Sequence, residues 1–176
     1  MSYYFLKVKA VLILLYSVQG IVFSFLLDSL VFIQKKELTY SEIGLIKMCS
    51  YPFSLKLLWS PLVDSYYANF IGRRKTWIVP CQIVLTFFLY YLYINYELII
   101  QTRNISFYSI ICFLILFLLA TQDIALDGWA LTICRENSVL ASACQTIGHK
   151  VGGIMSLLMF LQLNSVEFCN KWINSI

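Results

Sequence analysis

The chain has 176 residues, of which 60% are hydrophobic and only 12% charged, and its mean hydropathy is +0.78. That balance excludes an ordinary soluble domain and specifies an integral membrane protein. The net charge of +4 is small and dispersed, so no basic stripe supports a nucleic-acid partner, and the lipid bilayer is the partner that composition implies.

Taken in order, the chain opens on a short lead with Lys7 and Lys9, followed by an apolar run from Val8 to Ile33 with one acidic residue. Such a run exceeds the h-region of a cleaved signal peptide and can cross ~30 Å of hydrocarbon, so it is read as a retained first span over 8–34. Gln19-Gly20 interrupts it. Asp28, in its second half, is placed either facing a pore or near the far interface. The polar stretch Gln34 to Glu42 is a loop, and Ser41 is expected to cap the next helix.

The second span is read over 43–63, kinked at Pro52, and carries Lys47 and Lys56. Lys56 has two readings. It can snorkel to the membrane face, or it can face a polar interior and bind an anion or the carboxylates of span four. A loop follows with Asp64 at its start and Arg73, Arg74 and Lys75 at its end. Those bases either only set topology, or Asp64 accepts hydrogen bonds from Arg73 or Arg74 and closes a gate.

Span three covers 77–96 and ends in Tyr90, Tyr91, Tyr93 and Tyr96, a composition suited to an interfacial belt. Asn104-Ile105-Ser106 matches the glycosylation triplet, immediately before a fourth span over 106–134. Within that span Asp123 and Asp127 are four residues apart, which places both carboxylates on one helix face. At membrane depth they repel each other and lose hydration, so a proton, a cation or a basic side chain must compensate them. Asp127 is two turns from Arg135 and can be shallow, whereas Asp123 is deeper.

A fifth span over 139–163 is rich in small residues, and Gly148 and Gly152 form the spacing that allows close helix approach. His149 and Lys150 interrupt it. Each can face the same interior as the carboxylates, although a lone histidine is more often a packed residue. The six cysteines show no CxxC pairing and suit packing, with Cys169 outside the spans. With the N-terminus in the cytosol, Lys7, Lys9, Arg73, Arg74, Lys75 and Arg135 fall inside, against Lys35, Lys36, Arg103 and Lys171 outside. The bias favours that orientation. The expected fold is therefore all-α, a polytopic transmembrane helical bundle of about five spans.

Four segments together, Pro52 to Asp64 (PFSLKLLWSPLVD), Gly72 to Trp77 (GRRKTW), Ala120 to Leu131 (ATQDIALDGWAL) and Phe168 to Lys171 (FCNK), resemble the acetyl-coenzyme A transporter family, solute carrier family 33 of the major facilitator superfamily. Bacterial muropeptide permeases share similar patterns in three of the four. The resemblance implies a twelve-span transporter of the endoplasmic reticulum membrane that moves acetyl-coenzyme A from cytosol to lumen. The chain then corresponds to the N-terminal part of a major facilitator fold with the remaining spans missing, and it is expected to be inactive alone. No catalytic residue, metal or cofactor is implied, acetyl-coenzyme A being the transported solute. A homo-oligomer is left open.

On that reading Asp64, Arg73 and Arg74 match the superfamily's gate motif. Asp123, Asp127, Lys56, Arg135, Lys150 and His149 are the candidates for substrate binding or coupling, since the phosphates of the solute require fixed cations. Three other readings compete. They are a permease for another anionic or sugar-peptide solute, a membrane acyltransferase using His149 with Asp123 or Asp127, and a non-transporting truncated product.

Overall fold

The computed structural model describes residues 2–29, 39–70, 72–102, 104–134 and 138–163, and the statements below concern these. Arg135 and Cys169, singled out above, lie outside them, as does the FCNK segment. The described residues are helical with no strand, in agreement with the all-α expectation. Helix α1 spans Ser2–Ser24 and continues into a π-helical turn, Phe25–Ser29, which contains Asp28. The second expected span is not one helix but three short ones: α2 (Tyr40–Met48), α3 (Tyr51–Leu55) and α4 (Ser60–Ser65), with a 3-10 turn at Lys56–Leu58. Helices α5 (Lys75–Gln101), α6 (Ile105–Ile133) and α7 (Ser138–Leu163) are continuous. Three stretches, Lys9–Leu27, Lys75–Asn95 and Ile105–Ile133, are long and apolar enough to cross a membrane. The protein is multi-pass.

The interruption of the second segment follows from its two prolines. Pro52 and Pro61 each occupy the first turn of a short helix, where the missing N–H costs nothing. Neither can donate to a carbonyl in the preceding turn, so the ladder breaks before both. The kink expected at Pro52 is therefore half of a double break whose second member is Pro61. The cap at the start of α2 also differs from the expectation. Thr39, not Ser41, is the N-cap: Glu42 returns its carboxylate to the Thr39 backbone N–H at 2.7 Å, while the Glu42 N–H donates to the Thr39 hydroxyl. The capping box places the helix start two residues earlier than Ser41.

The described helices fall into two compact units, α1 with α7 and α2 through α6. In the first, Gly148 lies on Tyr16, Gly152 on the Ser17 carbonyl, and Gly20 on the backbone of His149, so that a Cβ at any of these would collide with the opposite helix. Small residues on both helices thus let the backbones touch, as the Gly148/Gly152 spacing predicts. His149 packs beside the Tyr16 ring, with centroids 5.9 Å apart.

In the second unit α6 is the centre, and α2, α3, α4 and α5 all pack against it. Its middle, from Leu119 to Leu126, is almost continuously buried. Val63 of α4 packs there on Ile124 and Ala125, joined by Trp59, Trp77 and Ile78. This cluster fixes the end of the broken segment and the start of α5 against one face of α6, and two groups of charged side chains flank it.

Candidate functional site

The first group is built on the 3-10 turn. Because the backbone is broken around Pro52 and Pro61, Lys56 sits at the start of a tighter turn between two short helices. Its ammonium reaches across to α6 and donates to Asp123 at 2.6 Å and Asp127 at 2.7 Å. Lys56 therefore does not snorkel; the structure takes the alternative in which it meets the carboxylates of the fourth span. The i, i+4 spacing is what allows one Nζ to serve both acids. The two acids differ in burial: the Asp123 side chain is 2% exposed and that of Asp127 30%.

With all three groups charged, the cluster carries two negative charges and one positive. In a low-dielectric interior each ion is costly without its partners, so removing any one changes the state of the others. The arrangement is a cation held by two acceptors at once. An incoming anion can compete with the carboxylates for Lys56, and a proton or cation can take its place on them. Nearby in sequence, the side-chain oxygen of Gln122 and the indole nitrogen of Trp59 are buried without a hydrogen-bond partner among the described residues. Trp59 lies against Phe117, centroids 5.0 Å apart. Buried polar atoms of this kind call for a partner. Neither residue was singled out from the sequence, although both stand inside the quoted motifs.

The second group joins the end of α4 to the loop that precedes α5. Asp64 Oδ1 accepts from Arg74 at 2.9 Å and from Arg73 at 3.3 Å. Arg74 is the more buried of the two, at 19% against 50%, while Arg73 also lies over the Tyr67 ring. Several local bonds shape the loop. The Trp77 indole donates to the Tyr66 carbonyl, the Thr76 hydroxyl donates to the Gly72 carbonyl, and the Ala68 N–H donates to that hydroxyl. Gly72 has φ +95°, a conformation that favours glycine, and it turns the chain just before the two arginines. The predicted Asp64/Arg73/Arg74 grouping is thus assembled in space.

Of the remaining candidates, His149 and Lys150 lie on α7 in the other unit, the first half-buried and the second exposed. Asn104 uses its side-chain oxygen as the N-cap of α6, accepting from the Phe107 N–H at 3.2 Å.

Comparison with known proteins agrees with the resemblance carried by the four segments. The family model described as acetyl-coenzyme A transporter 1 matches residues 8–176. An uncharacterized protein of Schizosaccharomyces pombe is 39% identical over 94% of this chain and 32% of its own length, and an uncharacterized membrane protein of Saccharomyces cerevisiae is 40% identical over 94% and 33%. The anhydromuropeptide permease of Escherichia coli is 26% identical over 74% of this chain and 25% of its own. The chain thus spans about a third of the length of the first two relatives. No solved structure matches. The match across nearly the whole chain, together with the motifs that build both charged groups, places this multi-pass membrane protein in the acetyl-coenzyme A transporter 1 family.

Proposed function

We propose that the chain is the N-terminal part of a transporter that carries acetyl-coenzyme A from the cytosol into the endoplasmic reticulum lumen by alternating access, with its N-terminus in the cytosol. The observation that carries this reading is the Lys56 ammonium held between Asp123, in the most buried part of α6, and Asp127, at the edge of that part. A solute with several phosphates needs a fixed cation along its path, and one already balanced by carboxylates can be handed over without leaving a bare charge in the membrane. In the resting arrangement the carboxylates hold Lys56. When solute binds, its phosphate takes the ammonium, and a proton or cation neutralises the acids. The Asp64/Arg73/Arg74 group serves as a contact that closes one face and breaks when the two halves of a transporter rock.

A second reading is supported by the likeness to the E. coli anhydromuropeptide permease: the same cluster would serve a different anionic solute. Uptake into proteoliposomes separates the two. Labelled acetyl-coenzyme A should be taken up by a form extended through the further spans of the fold, and the 176-residue chain should be inactive by itself. Saturable uptake of a muropeptide, with none of the thioester, would replace the first reading with the second. Asp123→Asn in the extended form should alter the pH dependence of uptake; an unchanged profile removes the acids from coupling.

A further inference from the structure

The two charged groups meet on consecutive residues of α6. Asp127 accepts from Lys56, and the next residue, Gly128, carries the Arg74 guanidinium on its backbone: a Cβ built there would overlap Nη1, Cζ and Nη2 of Arg74. Gly128 is one helical turn beyond Ile124, on the face where Val63, Trp77 and Ile78 pack, and Asp64 directly follows Val63. The missing side chain therefore leaves a hollow at the end of the apolar stripe. Arg74 fills it while donating to Asp64.

We propose that Gly128 is a positioning residue, a seat that holds the Arg74 guanidinium where it reaches Asp64 and so ties the loop to the same step of α6 that holds Lys56. Its link to transport rests on the gate reading above. The geometry makes a specific demand. The atoms a Cβ would strike belong to the tip of a flexible side chain and not to backbone. A methyl group at this position displaces Arg74 and leaves the helix in place. Movement of α6 that releases Lys56 also carries the seat away from Arg74, so the cluster and the loop open together.

The test is amide hydrogen exchange of the 66–74 loop, followed by mass spectrometry on the protein in lipid nanodiscs. In that loop the Ala68 and Gly72 N–H groups are hydrogen-bonded, to the Thr76 hydroxyl and the Ala68 carbonyl. Gly128→Ala is expected to speed their exchange roughly tenfold, the effect of freeing one charge-assisted bond. Arg74→Gln should do the same, and the double variant should exchange no faster than Arg74→Gln alone. Gly44→Ala is the control, since nothing lies within 4 Å of a Cβ there, and it should leave the loop unchanged.

Wild-type exchange in Gly128→Ala, or effects of Gly128→Ala and Arg74→Gln that simply add, would overturn the seat. Should Gly128→Ala fail to accumulate, Arg74→Ala in the same chain removes the obstructing group and is expected to restore it; a double variant that also fails to accumulate overturns the proposal. The gate reading fails separately if exchange responds as expected while uptake by the extended form is unaffected.

Discussion

Lys56 is the residue whose environment most constrains the chemistry of the chain. It is one cation between two acids, and Asp123, its closer partner, is almost wholly removed from solvent. Lys56→Met removes the ammonium that Asp123 and Asp127 share and should cost about 3–5 kcal/mol, read as a fall in the thermal midpoint in detergent. Adding Asp123→Asn to that variant should recover most of the loss. A single variant as stable as the parent would mean that Asp123 is held by other groups. The two arginines at Asp64 provide a second contrast. Arg73 is half-exposed with a longer bond, so Arg73→Gln should shift stability by no more than about 1 kcal/mol. Arg74, shorter-bonded and seated on Gly128, should cost more when changed to Gln. Equal effects from the two would show that burial at Gly128 adds nothing. The i, i+4 pair in α6 was readable from spacing alone; that a single lysine answers both acids was one of two open readings, because snorkelling and pairing have the same sequence signature.

At the scale of elements, apolar length identified α1, α5 and α6, since a run of such residues has few other stable conformations in lipid. The second segment was read as one kinked span, whereas two prolines divide it into three helices and a 3-10 turn. Pro61 stood inside the quoted PFSLKLLWSPLVD segment and was the available signal. Its consequence, a lysine presented from a tight turn, depends on both breaks together. The close approach of α1 and α7 makes a direct prediction. Gly152→Ala sets a methyl group on the Ser17 carbonyl, a backbone atom that cannot step aside, so it should cost about 1–3 kcal/mol in thermal stability. An unaltered midpoint would show that the helices separate without penalty.

Over the whole molecule, composition alone determined the solvent: a chain this apolar with so few charges belongs in a bilayer, where its backbone must be bonded internally, as it is in these helices. Sequence also determined the family, because the motif segments are long, ordered and spread over most of the chain. It located the acids and bases that form both charged groups, since ionisable residues are conspicuous against an apolar background. Tertiary structure decided which of them meet. Lys56 lies 67 residues before Asp123, and no local pattern joins them. That meeting depends on Val63, Trp59 and Trp77 packing on Ile124 and Ala125, which brings the broken segment and the start of α5 onto one side of α6. The seat at Gly128 has the same origin. A glycine in a helix reads as a neutral or weakening residue until the Arg74 guanidinium, brought there by the packing of two other helices, occupies the space its side chain would have filled.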